Sequence, residues 1–190
     1  MQNDQNLEFR IHAERTPNPN SIKWVLGKEL VSAGIVAHFE EVVDSSVSPL
    51  ASSLFQIQGV TGVSLVSNTV TMTKTENFEW ADLAEAIVEV LRDFAIAERD
   101  VFGPEFKPPE QEAAEDSVTA RIIEVIETEI RPAVAGDGGD VLFAGFDNGV
   151  VHVHLQGACV GCPSSTDTLR FGIEGRLKEV VPQVREVIAI

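Results

Sequence analysis

Val150-Val151-His152-Val153-His154-Leu155-Gln156-Gly157-Ala158-Cys159-Val160-Gly161-Cys162-Pro163-Ser164-Ser165 runs from a strand straight into a loop holding the only two cysteines of a 190-residue chain. Val151, Val153 and Leu155 alternate with His152 and His154, the period of a strand with one buried face. Ser164 or Ser165 can cap a following helix. Upstream, residues 141–146 read as a second strand. Asp147-Asn148-Gly149 joins the two, and Asn-Gly favours a tight hairpin turn. An antiparallel hairpin thus leads into the cysteines, where redox Cys-x-x-Cys pairs usually sit in strand–helix–strand units.

Working outward, Leu169, Ile173, Leu177 and Val180 or Val181 recur at helical spacing, and Pro182 stops that helix. Residues 184–190 read as a last strand. On the other side, Ser117 can cap a helix whose face carries Val118, Ile122, Val125, Ile126 and Ile130, with Pro132 ending its regular part. Gly136-Asp137-Gly138-Gly139-Asp140 then reads as a turn. It matches neither phosphate-binding glycine pattern, it leads into a strand, and its two aspartates repel phosphate. Residues 117–190 therefore form helix, hairpin, cysteine loop, helix and strand. A domain this small has a marginal core, so a metal or a partner subunit would help it.

Residues 101–116 read as a mobile linker. They hold Pro104, Pro108, Pro109 and five acidic residues against Lys107 alone, a composition that buries little. Residues 1–100 read as a complete first domain. Leu7, Phe9, Ile11 and Ala13 alternate as a half-buried strand. Thr16-Pro17-Asn18-Pro19-Asn20 is a loop. Ile22, Trp24 and Leu26 mark a second strand and residues 36–42 a third. Ser48-Pro49 is a helix start, with Leu50, Ala51, Leu54, Phe55 and Ile57 as its stripe and Gly59 as its end. Residues 60–66 and 69–74 pair around Ser67-Asn68. Trp80, Leu83, Ala84, Ile87, Val88 and Leu91 define an amphipathic helix over 79–94. The fold class is α+β: two small sandwich-like domains joined by an acidic, proline-containing linker.

The net charge is −16, and no stretch is basic, so the footprint of nucleic-acid binding is missing. No apolar run reaches bilayer length. The polar N-terminus has no signal-peptide pattern, and two cysteines are too few for a disulfide framework. These features lead to an expectation of the reducing cytoplasm. His12 and His38 are isolated, and Asp137 and Asp140 read as turn residues. No acid–base constellation accompanies the cysteines, so an enzyme is not expected.

Four chemistries remain open for Cys159 and Cys162. They can be inert packing residues, although a loop beside Pro163 reads as an exposed, shaped site. They can form a dithiol–disulfide redox pair, the helix start after Cys162 favouring thiolate. They can bind zinc with His152 and His154 in a zinc-stapled interaction module, although that histidine pair is more simply strand alternation. Or they can hold an iron–sulfur cluster. A 4Fe–4S cluster takes four thiolates, so two chains related by a two-fold axis would supply them.

Two motifs in order discriminate among these. Pro132-Ala133-Val134-Ala135-Gly136-Asp137-Gly138-Gly139-Asp140-Val141 is followed by Leu155-Gln156-Gly157-Ala158-Cys159-Val160-Gly161-Cys162-Pro163-Ser164-Ser165. Together they resemble the C-terminal domain of NifU, the Nfu family. Thr16-Pro17-Asn18-Pro19-Asn20, Leu54-Phe55 through Gly59-Val60, and Val70-Thr71-Met72-Thr73-Lys74 resemble the Nfu N-terminal domain. The resemblance implies a scaffold or carrier that binds a 4Fe–4S cluster through Cys159 and Cys162 at a homodimer interface. It implies upstream cluster-assembly proteins as donors and apo iron–sulfur proteins as recipients, with the first domain recognising partners.

Overall fold

A computed structural model describes residues 10–32, 35–108, 117–160 and 166–190. The chain forms two compact units, one built mostly from the residues up to 108 and the other mostly from residue 117 onward.

The first unit is a five-stranded antiparallel sheet in the order β1-β2-β5-β4-β3. Its strands are β1 (Ile11–Arg15), β2 (Ser21–Leu26), β3 (Val36–Phe39), β4 (Val60–Val66) and β5 (Thr69–Lys74). Trp24 lies opposite Val70, Val70 opposite Leu65, and Leu65 opposite Ala37, so one face carries a continuous apolar row. That face is buried under α1 (Pro49–Phe55) and α2 (Trp80–Ile96), where Leu50, Leu54, Ile87 and Leu91 are fully buried. The expected pattern in β1 holds only partly. Leu7 and Phe9 lie outside the described residues, and Ala13 is exposed because β1 is an edge strand. The third strand also stops at Phe39, short of residue 42.

Ser48 shows why α1 starts where it does. Its hydroxyl accepts the Ala51 N–H at 3.2 Å, and Pro49 fills the first helical position. The same hydroxyl donates to the Val101 carbonyl at 2.7 Å. Two further backbone bonds follow, from the Gly103 N–H to Val47 O at 2.9 Å and from the Glu105 N–H to Ser46 O at 2.8 Å. Phe102 and Phe106 stack at 3.8 Å and pack against the first core. The expectation of a mobile linker beginning at residue 101 therefore needs correction. Val101 to Phe106 belong to the first unit, because two aromatic rings outweigh the prolines and acids around them. Residues 109–116 of the expected linker lie outside the described residues.

The second unit is a three-stranded sheet, β6 (Gly139–Asp147), β7 (Val150–Gly157) and β8 (Glu186–Ala189), with β7 in the middle. β6 and β7 form the expected hairpin. Asn148 (φ 49°) and Gly149 (φ 85°) take the left-handed conformations that an Asn-Gly turn supplies. β8 runs parallel to β7, a pairing that needs a long crossover, here through α5 (Thr166–Val180). Val141, Val151, Val153 and Val187 meet Ile122, Val125, Ile126, Ile173 and Leu177 in one core.

The leading helix departs from expectation at Pro132. α3 (Ser117–Val125) does not stop there but passes through a π-helical stretch (Ile126–Ile130) into α4 (Arg131–Gly136). The Arg131 N–H bonds to Ile126 O, five residues back. Pro132 brings no N–H of its own, so the wider turn lets the helix continue past a residue that would otherwise break it.

Candidate metal centre

Cys159 follows the end of β7 by two residues, and the turn that carries it is closed by short backbone bonds. Val160 N–H donates to Gly157 O at 3.1 Å, and Ala158 N–H donates to Gly138 O at 3.1 Å. Gly157 sits at φ 64°, a conformation that costs a residue with a side chain. A Cβ there would also meet Gly138 O at 2.6 Å. The chain can cross the start of β6 this closely because residue 157 has no Cβ to meet that backbone.

The thiol lies in this crossing. Cys159 is 7% exposed and packs with the second core. A Cβ built on Gly139 would lie 2.1 Å from its Sγ. The expectation of an exposed site for both cysteines is corrected for Cys159, whose sulfur is seated inward against a glycine. Cys162, Pro163 and the expected helix cap, Ser164 or Ser165, lie outside the described residues. Val160, between the two cysteines in sequence, is 41% exposed.

The expectation that Asp140 is a turn residue is also corrected. Asp137 and Gly138 make the turn, and Asp140 is the second residue of β6 and buried. Its carboxylate accepts from Arg131 twice, Nε to Oδ1 and Nη2 to Oδ2, both at 2.8 Å. Oδ1 also accepts the Val141 N–H at 2.9 Å. Arg131 Nη1 donates to both oxygens of Glu127, at 2.9 and 2.7 Å. The hydrogen bonds to Asp140, then the charge of both carboxylates, hold the Arg131 guanidinium above its already high value against the opposing effect of burial. Sequence reading missed this cluster. The spacing of Glu127 and Arg131, four apart on a helix, was the available signal.

Among the described residues, no group of three or more His, Cys, Asp or Glu side chains could hold a metal ion. His154 is exposed and its Nδ1 lies 3.1 Å from Ile190 O. His12 lies in the first unit, 3.0 Å from Glu14. The thiolate of Cys159 is a donor that suits soft metals and iron–sulfur clusters.

Fold and site define a two-domain α+β protein whose smaller sheet unit carries a Cys-x-x-Cys loop between a hairpin and a helix. The family model described as "Scaffold protein Nfu/NifU N terminal" matches residues 11–98. The model described as "NifU-like domain" matches residues 122–188. The chain belongs to the Nfu/NifU family, with both domains in order.

Among its relatives is the NFU1 iron-sulfur cluster scaffold homolog, mitochondrial, of Drosophila willistoni, 36% identical over 179 residues, 93% of this chain and 62% of that protein. Another is NifU-like protein 4, mitochondrial, of Arabidopsis thaliana, 39% identical over 183 residues, 93% of this chain and 64% of that protein. The chain thus spans a little over three fifths of the length of these relatives. A solution structure of a NifU-like protein from Saccharomyces cerevisiae aligns with 55% of this chain and 92% of its own, at 23% identity and a TM-score of 0.48. The expectation of the cytoplasm is overturned by these relatives, which are named as mitochondrial.

Proposed function

We propose that this chain is an iron–sulfur cluster scaffold or carrier, in which Cys159 and Cys162 hold a 4Fe–4S cluster at the interface of two copies and release it to apo-proteins. The observation that carries this reading is the thiol pair itself. It comprises the only cysteines of the chain, in the domain that matches the NifU-like model. A 4Fe–4S cluster takes about four thiolates, so two per chain calls for two chains around one axis. Exposed apolar side chains in the loop and shortly after it in sequence support an interface there: Val160 at 41% and Phe171 at 59%. A cluster held only between subunits is released when they part, which suits delivery better than resident electron transfer. The relatives named as cluster scaffolds support the same reading. The first unit, which brings no cysteine, would then recognise the donors and recipients of the cluster.

Anaerobic reconstitution of the full chain with iron and sulfide tests this. The expected product is brown, with broad blue-violet absorbance, and light scattering on the same sample gives a dimer with about one cluster per two chains. Removing the cluster should return the monomer. A monomer carrying about four irons per chain would overturn the bridging model. A colourless protein with zinc-blocked or reversibly oxidised thiols would replace the carrier by one of its rivals.

A further inference from the structure

The ion cluster at the start of β6 ends beside the thiol. We infer that Arg131 and Asp140 are positioning residues for Cys159: their paired hydrogen bonds fix the first residues of β6 and so maintain the seat on Gly139 in which the sulfur lies. Asp140 accepts twice from the Arg131 guanidinium, at 2.8 Å, and from the Val141 N–H at 2.9 Å. Arg131 is gripped from its other end by Glu127 at 2.7 and 2.9 Å. Neither side chain can turn without breaking several bonds at once. Gly139 is the neighbour of Asp140 in the chain and the cross-strand partner of Gly157, two residues before Cys159. The path from guanidinium to sulfur is therefore short and contiguous.

The chemistry of the pair suits this task. A guanidinium meeting a carboxylate at two points fixes orientation as well as distance, which an ammonium cannot do. Buried ion pairs are poor evidence of net stability, and holding one specific arrangement is among their better-supported uses. The arrangement held here keeps the thiol inward. To reach a metal offered from outside or shared with a second copy, the sulfur must leave its seat. The rigidity of that seat then sets how often the thiol is available. Only this last step rests on the proposed function. The seat is tested on metal-free protein, so its failure is distinct from a failure of reconstitution.

The measurement is the rate at which iodoacetamide alkylates Cys159 in the reduced, metal-free full chain, read by mass spectrometry of the Cys159 peptide. The thiolate displaces iodide, so the rate reports exposure and ionisation of that sulfur. Arg131→Lys and Asp140→Asn are expected to alkylate about tenfold or more faster than the native chain, and Glu127→Gln by no more than about threefold. Hydrogen exchange at the buried β7 positions Val151 and Val153, followed on the same samples, is expected to stay within about threefold of native. A parallel rise in core exchange and alkylation would show that the pair only stabilises the unit, and would overturn the inference. Unchanged alkylation in a folded variant would overturn it as well. If Asp140→Asn does not fold, Arg131→Lys decides by the same criteria. Loss of the fold in both would mean that the pair holds the whole unit rather than the thiol seat.

Discussion

Gly139 and Cys159 compete for one space: a Cβ built on Gly139 would lie 2.1 Å from the Cys159 sulfur. Gly138, at φ 76°, is the glycine whose backbone the turn requires, and Gly139 is not in the left-handed region. Gly139 is thus required by the thiol and not by the chain direction. Gly139→Ala should push the sulfur out of its seat and destabilise the second unit by about 1–3 kcal/mol, the usual cost of overpacking. Urea unfolding checks the cost, and faster alkylation of Cys159 checks the displacement. A variant with native midpoint and native alkylation would show that the seat has slack.

Cys159→Ser should abolish iron loading and also weaken the apo-fold, because Cys159 belongs to the second core. Placing a hydroxyl where the sulfur is buried costs about 1–3 kcal/mol without a good partner. Cys159→Ala should lose iron equally and keep more of the stability. Iron analysis and urea midpoints on the two variants separate ligand loss from packing loss. Full iron loading in either would remove Cys159 from the ligand set.

The first unit should need the residues through Phe106. A fragment ending at residue 100 loses the Ser48–Val101 bond, two backbone bonds and the Phe102–Phe106 stack. It should be less stable than a fragment ending at 108 by at least ~2 kcal/mol, the value of burying one large apolar side chain. Ser48→Ala in the longer fragment should cost about 1–2 kcal/mol, since it removes an N-cap and leaves the Val101 carbonyl without that donor. Equal midpoints for the two fragments would return residues 101–106 to the linker.

Acid should loosen the join of α5 to β8. The Lys178 ammonium and then the Val187 N–H hold the Glu174 carboxyl below its usual range. The Val187 bond is 3.1 Å and joins strand to helix. A carboxylate with a depressed folded value contributes stability above its unfolded value, about 4.3. That contribution is lost as the pH falls through the lower folded value. Glu174→Gln should therefore lower stability at neutral pH and decline less than native below about pH 4. Denaturant midpoints across that range check the difference. Identical slopes would show that other carboxylates dominate the acid limb.

What was legible in the sequence was local. The Asn148-Gly149 turn, the Ser48-Pro49 helix start, the α2 stripe and the alternation of β7 each depend on residues a few positions apart, and each appears where expected. The spacing of Cys159 and Cys162 is local in the same way: two thiols with two residues between them constrain chemistry without any knowledge of the fold. The tertiary structure decided how polar and reactive groups are placed. Phe102 and Phe106 look like linker residues until the first core offers them a surface. Asp140 looks like a turn residue until Arg131, nine residues away, meets it in the interior. Cys159 looks exposed until Gly139, brought alongside by the β6–β7 register, leaves a space the size of a sulfur. Periodicity and turn chemistry are properties of a short segment, whereas burial of a charge or a thiol is set by partners that only folding brings within contact.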